Sequence, residues 1–288
     1  EKIYNNTKIT LDWLWENQYF PKLEIFSGDP LIQKIGHDVL NLILDYAESG
    51  KKLTTYISIP TNMGVLRYPD KLKSLKNSIA RGKKLGINIV LSASVDGPFM
   101  EDNRPSKNPN HKRDDKFYHD LFTMAQEYNF GFHPMIYSNN IEKWKDNFLW
   151  YQSKLAEYGL DWRSIYLLEV RNQEWTLQQC KELAKFLNWL VKWTWDKVGR
   201  DFKKFGVGHY FNIIGNPLST VGRGIGCSIQ ATVQLRMGDL SWGLCHRLMY
   251  DKYMTGRFIV ENEQITGIYA NNFEAQLAVQ TTTIRNWP

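Results

Sequence analysis

Between residues 22 and 198, strand-like and helix-like patterns alternate five times, and that order leaves few folds open to the chain. Residues 22–26 read as a strand closed by Ser27-Gly28-Asp29-Pro30. Leu31, Ile35, Val39, Leu40 and Ile43 then share one face of a helix that reaches about residue 48 and is stopped by Ser49-Gly50. Residues 53–59 alternate as a strand, end at Pro60-Thr61-Asn62 and lead to a Lys-rich helix over about 68–85. Residues 87–95 form the near-continuous apolar run of a buried parallel strand, ending at Asp96-Gly97-Pro98. A polar loop over 101–115 is long enough to suggest a functional role. Helix 116–128, strand 131–137, helix 141–158, strand 164–170 and a long amphipathic helix from Thr176 to about 198 complete the series. This order predicts right-handed βαβ units and a parallel sheet. Without a dinucleotide glycine signature, the expected α/β fold is a full or partial parallel barrel, with functional groups where strands end and loops begin.

Composition bounds what such a fold can be. With 288 residues, 43% hydrophobic and 23% charged, the chain can bury a large core without disulfides. No apolar run approaches the roughly 18 residues of a membrane-spanning helix, so no membrane partner is expected. A net charge of +6 and a pI near 9.0 are diluted over the whole chain, so nucleic acid is not the expected partner. The three cysteines, Cys180, Cys227 and Cys245, cannot form a disulfide framework, and no leader pattern precedes the first helix. A reducing, cytoplasmic compartment is the expectation.

After Gly206 the texture changes. Gly222, Gly224 and Gly226 precede Cys227, and short strand-like runs follow at 230–235 and 257–260. Two domains are expected, 1–206 and 207–288.

Each polar strand end is an ordinary turn by itself. Five at successive strand ends form a polar crown that suits a small polar ligand. In these segments the chain resembles the radical S-adenosylmethionine (AdoMet) superfamily over about residues 20–200. Ile25-Phe-Ser-Gly-Asp-Pro-Leu31 is similar to the family's Gly-Gly-Glu-Pro segment, which receives the methionine amino group; Ser27 stands for the first glycine and Asp29 for the glutamate. Ile59-Pro-Thr-Asn-Met63 is similar to the Thr-Asn-Gly segment. Ser92-Ala-Ser-Val-Asp-Gly-Pro98 is similar to the Ser-(Ile/Leu)-Asp-Gly-Pro segment. The resemblance implies AdoMet contacts from Ser27, Gly28, Asp29, Pro30 and Asn62. It places Ser94 and Asp96 near the ribose and carboxylate, and Arg104, with Arg113 as alternative, on the carboxylate. Glu169 and Val170 would close over ribose and adenine.

The C-terminal part resembles the SPASM extension of peptide-modifying members, which holds auxiliary [4Fe-4S] clusters. Cys227, a hairpin turn at Gly238-Asp239, and Leu244-Cys245-His246-Arg247 carry this likeness, and thiolates are the natural cluster ligands. Sulfatase maturases have a catalytic Asp directly after the corresponding cysteine. Here His246 stands there, so sulfatase maturation is not carried over; His246 is a candidate proton acceptor or a hydrogen-bonding support. Cys180 reads as a buried, inert thiol, and Trp189, Trp193 and Trp195 as core or interdomain packing.

The resemblance implies a partial (β/α)6 radical-SAM-type barrel followed by a small SPASM-like α+β domain. The implied activity is reductive cleavage of AdoMet by a [4Fe-4S] cluster and hydrogen abstraction from a peptide or protein side chain, with a flavodoxin or ferredoxin as reductant. The Cys-x3-Cys-x2-Cys loop of the family is absent between Glu1 and Pro288, and its expected place is just before Glu1. A fragment of a longer enzyme is therefore expected. The alternatives are a cluster-free barrel acting as a binding or structural protein, and a radical AdoMet enzyme acting on RNA.

Overall fold

The computed structural model describes residues 1–26, 28–105, 112–169, 173–199, 234–243, 251 and 254–270. Along the chain, α1 (Lys2–Glu16) is followed by β1 (Leu23–Glu24), α2 (Lys34–Glu48), β2 (Tyr56–Thr61), α3 (Pro69–Lys84) and β3 (Asn88–Ala93). Then come α4 (Asp115–Tyr128), β4 (Gly131–Phe132), β5 (Met135–Ile136), α5 (Trp144–Glu157), β6 (Leu168–Glu169) and α6 (Leu177–Val198). The last described elements are β7 (Gln234–Arg236), β8 (Ser241–Gly243), β9 (Gly256–Glu261) and β10 (Gln264–Ala270). Two compact units result. One comprises Leu23–His37 and Tyr56–Pro217, the other Glu1–Lys22, Asp38–Thr55 and Leu218–Pro288. The domain boundary expected at 206/207 lies outside the described residues.

In the first unit, β1, β2, β3 and β4 form a sheet in that order, and every neighbouring pair is parallel. A parallel bridge between Phe132 and Ile165 and the parallel β5–β6 pair continue the order. The parallel α/β arrangement expected from the alternation is present. Ile57, Ile59 and Thr61 of β2 and Ile89, Leu91 and Ala93 of β3 are buried, while the residues between them are half-buried or exposed. The apolar run in β3 thus has one fully covered face, not two.

The strand expected over 131–137 is divided in two for a local reason. Pro134 has no N–H to give to a ladder, and the next amide, that of Met135, donates to the Asp96 carboxylate (2.7 Å) instead of to a strand. The preceding amide, His133, still pairs with the Ala93 carbonyl at 2.7 Å.

Helices of this unit carry the stripes that their periodicity implies. Gly82 of α3 leaves room for Ile89, whose Cδ1 would stand 2.7 Å from any Cβ there. Asp114 caps α4 by accepting from the Phe117 amide (2.9 Å), and Thr176 and Gln179 form a capping box on α6. Trp144, Asn147, Phe148, Tyr151 and Leu155 make the buried stripe of α5. Phe148 meets Trp189 and Trp193 edge-on at 6.0 and 5.1 Å, which bears out packing for these two tryptophans. Trp195 is exposed. Cys180 is exposed as well, which corrects the expectation of a buried thiol: it lies in the first turn of α6, ahead of the buried stripe Phe186, Leu190 and Thr194 and about a third of a revolution from Phe186.

The second unit holds an antiparallel sheet ordered β10-β9-β8-β7. The turn between β7 and β8 contains Gly238-Asp239, as the sequence suggests, and the expected runs at 230–235 and 257–260 correspond to β7 and β9 where described. Asn6 of α1 donates to the Met237 carbonyl (2.6 Å), and Trp13 packs on Phe258 at 5.2 Å between ring centres. Among the described residues, no helix is long and apolar enough to cross a membrane.

Candidate functional site

In a parallel sheet all strands point the same way, so the segments after β1, β2 and β3 emerge at one edge, and the Met135 amide of β5 reaches the segment after β3. Those segments carry most of the residues singled out from sequence, and hydrogen bonds join them laterally. Asp29, after β1, accepts from the Thr61 hydroxyl (3.0 Å) and from the amides of Leu31 (3.1 Å) and Asn62 (3.2 Å). Thr61 in turn accepts from the Met63 amide (3.0 Å), and Asn62 Oδ1 from the Gly64 amide (2.7 Å). Asp29 therefore ties the end of β1 to the end of β2. Burial pushes its carboxyl above the ordinary value, and the Thr61 hydroxyl and the amides of Leu31, Asn62 and Gly64 work against that rise. Gly28 takes a left-handed conformation at φ +54°, Pro30 is buried, and Asn62 is exposed. Next, the Ser94 amide donates to the Thr61 carbonyl (2.7 Å), joining the end of β3 to the same edge.

Asp96 is the most enclosed of these groups, with no exposed surface. Arg104 grips it through Nε and Nη2, one donor to each carboxylate oxygen. The Met135 amide adds a third donor. A paired, bidentate geometry of this kind is what permits a charge to be fully buried. The Asp96 carbonyl accepts from Asn147 (2.7 Å), and the Val95 carbonyl from the Tyr151 hydroxyl, so α5 holds the turn from below. Gly97, at φ +100°, fits because any Cβ there would collide with Asn147 Oδ1.

Arg104 keeps 29% of its side chain exposed; it uses Nε and Nη2 in the pair, Nη2 also reaches the His133 carbonyl (3.4 Å), and neither contact engages Nη1. Arg113, the alternative anion partner, is only 9% exposed and points inward to Glu101. The geometry favours Arg104 for contact with a ligand. Tyr137, half-buried at the end of β5, feels both Arg104 and Asp96; burial raises its phenol above the ordinary value, and Arg104 opposes that rise.

The structure thus brings together Gly28, Asp29, Pro30, Asn62, Ser94, Asp96 and Arg104. Glu169 lies in β6 by its backbone. Its side chain, and the whole of Ser27, Val170, Cys227, Cys245 and His246, lie outside the described residues. Sequence reasoning missed Thr61 as the partner of Asp29, and Asn147 and Tyr151 as supports of Asp96. The last pair had a signal: two polar residues four apart within the apolar stripe of a helix.

The donors at this edge suit a ligand with an ammonium, a carboxylate and hydroxyls. They do not suit an iron–sulfur cluster: among the described residues no three His, Cys, Asp or Glu side chains are grouped to hold a metal, and Cys180 stands alone on α6.

No protein-family model and no curated protein matches the chain. A solved structure of a histidine-tagged protein, described as "anSMEcpe with bound AdoMet", does, with a TM-score of 0.56 and 16% identity. The match covers 88% of this chain and 67% of that one. The chain has the same kind of α/β fold as that AdoMet-bound protein.

Proposed function

We propose that this chain is the AdoMet-binding part of a radical AdoMet enzyme whose substrate is a peptide or protein side chain. The observation that carries the reading is the convergence of Asp29, Asn62, Ser94 and the Asp96-held Arg104 on one edge of a parallel sheet. Likeness to a fold neighbour that holds AdoMet, an anaerobic sulfatase-maturating enzyme, supports it.

On this reading each residue has a physical task. Asp29 supplies a carboxylate to the ligand ammonium from a turn already braced by Thr61. Arg104 turns its outer edge to the ligand carboxylate, and Asp96 fixes its direction. Ser94 and Asn62 offer hydrogen bonds to hydroxyls at the rim. When bound, AdoMet supplies a sulfonium centre whose carbon–sulfur bond is open to reductive cleavage. The chain's part is to orient that centre and to exclude water around it.

Calorimetric titration of the chain with AdoMet tests the reading. Saturable binding is expected, weakened about tenfold or more in Asp29→Ala and Arg104→Ala, as befits loss of one charged contact each. Wild-type affinity in both variants, or no uptake by the unmodified chain, overturns it. In the cluster-loaded enzyme, 5′-deoxyadenosine release stimulated by peptide but not by RNA supports the substrate class; the opposite pattern overturns it.

A further inference from the structure

We propose that Arg113 and Glu101 are positioning residues that clasp the backbone of Arg104 and so set the direction from which its guanidinium meets a ligand. The inference rests on the reading of Arg104 as the ligand-facing arm. Arg104 directly follows a 3-10 turn, Pro98–Asn103, and its own conformation, φ −135° and ψ 65°, belongs to no repeating element. No helix or sheet ladder holds it. Asp96 fixes the guanidinium, but a long side chain anchored only at its tip can leave its base in many positions.

The base is fixed by Arg113. Its Nη1 donates both to the Arg104 main-chain carbonyl (3.2 Å) and to Glu101 Oε1 (2.9 Å). The second oxygen of Glu101 accepts from the Tyr118 hydroxyl of α4 (3.3 Å). One buried arginine therefore joins the middle of the 3-10 turn to the residue after its end, and Glu101 links both to a helix rooted in the core. Arg113 is too enclosed to reach a ligand itself, so its influence passes through Arg104. Holding an arm at both ends removes freedom before the ligand arrives, which is the physical content of preorganisation.

The test uses the full chain with AdoMet as probe, and 15N NMR of the Arg104 Nε–H, assigned by its disappearance in Arg104→Lys. Arg113→Ala and Glu101→Gln should each weaken AdoMet about tenfold, and the double variant should be no weaker than about either single, because the pair acts as one unit. Arg113→Lys should restore part of the affinity, which general destabilisation would not produce. Exchange of the Arg104 Nε–H with solvent should quicken in Arg113→Ala. If Arg113→Ala does not fold, the near-isosteric Glu101→Gln carries the same expectations. Wild-type affinity in the folded variant overturns the proposal. If the unmodified chain takes up no AdoMet, the proposed function fails by itself, and exchange decides separately: an unchanged rate in the variant removes the clasp as well.

Discussion

Asp96 and Arg104 form a two-point ion pair in which the aspartate has no exposed surface and the arginine side chain keeps 29% of its own. The pair is asymmetric, and so are its consequences. Removing the arginine strands a buried charge, whereas neutralising the aspartate leaves a cation that water can still reach.

Arg104→Met should therefore destabilise the chain by about 3 kcal/mol or more, the usual cost of breaking a buried pair from one side. Asp96→Asn should cost less. Urea denaturation of both variants checks the order, and the reverse order would contradict the burial of Asp96.

Gly97→Ala should cost clearly more than Gly159→Ala. Both glycines have positive φ, +100° and +65°; Gly97, with ψ 165°, lies in a region open essentially to glycine alone, so an alanine there carries backbone strain of roughly 1–3 kcal/mol. At Gly159 a Cβ meets nothing within 4 Å, but at Gly97 it collides with Asn147 Oδ1 and with Tyr151 Cε2 at 2.9 Å. Parallel denaturation curves measure the difference; equal losses would mean that α5 does not brace this turn.

Thr61→Val keeps the shape of a buried residue and removes the hydroxyl that Asp29 accepts. Loss of a hydrogen bond to a charged group should lower stability by about 1.5–3 kcal/mol at neutral pH. The Asp29 carboxyl, already raised by burial, should rise further because one of the groups opposing that rise is gone. Titration of its 13C carboxyl resonance reads this directly.

Glu101 gives a pH dependence with two opposite signs. Burial, its largest influence, raises its carboxyl above the ordinary 4.5, while Arg113 and Tyr118 lower it and the Asp96 charge raises it. Its folded-state value exceeds its unfolded one, so folding takes up a proton in the window above pH 4.5, and this group's contribution to stability decreases as pH rises through that window. The clasp behaves the other way, since the Glu101–Arg113 pair needs the ionised carboxylate. On acidification toward about pH 4.5, AdoMet affinity should fall although Glu101 itself adds no instability. Calorimetry and thermal melts from about pH 4 to pH 8 separate the two, and Glu101→Gln should flatten the affinity profile. A profile unchanged by that substitution would remove Glu101 from the clasp.

The alternation of strands and helices, their parallel order and their polar ends were legible in the linear pattern. Burial every second residue in β2 and along one stripe of α5 leaves a local, periodic record, and the capping residues Asp114 and Thr176 mark helix starts just as plainly. Asp29, Ser94 and Asp96 could be found because each follows such a strand. What they touch could not. Asp29 meets Thr61 32 residues away, Asp96 meets the Met135 amide 39 residues on, and Asn147 reaches the Asp96 carbonyl from 51 residues away. Arg113 likewise meets Glu101 from 12 residues on. Where strands end follows from the order of residues, because hydrophobic periodicity is a property of near neighbours. Which carboxylate is held by a turn, which by an arginine, and which arginine still faces outward came from folding alone, because those pairings depend on distances through space that have no period in the sequence.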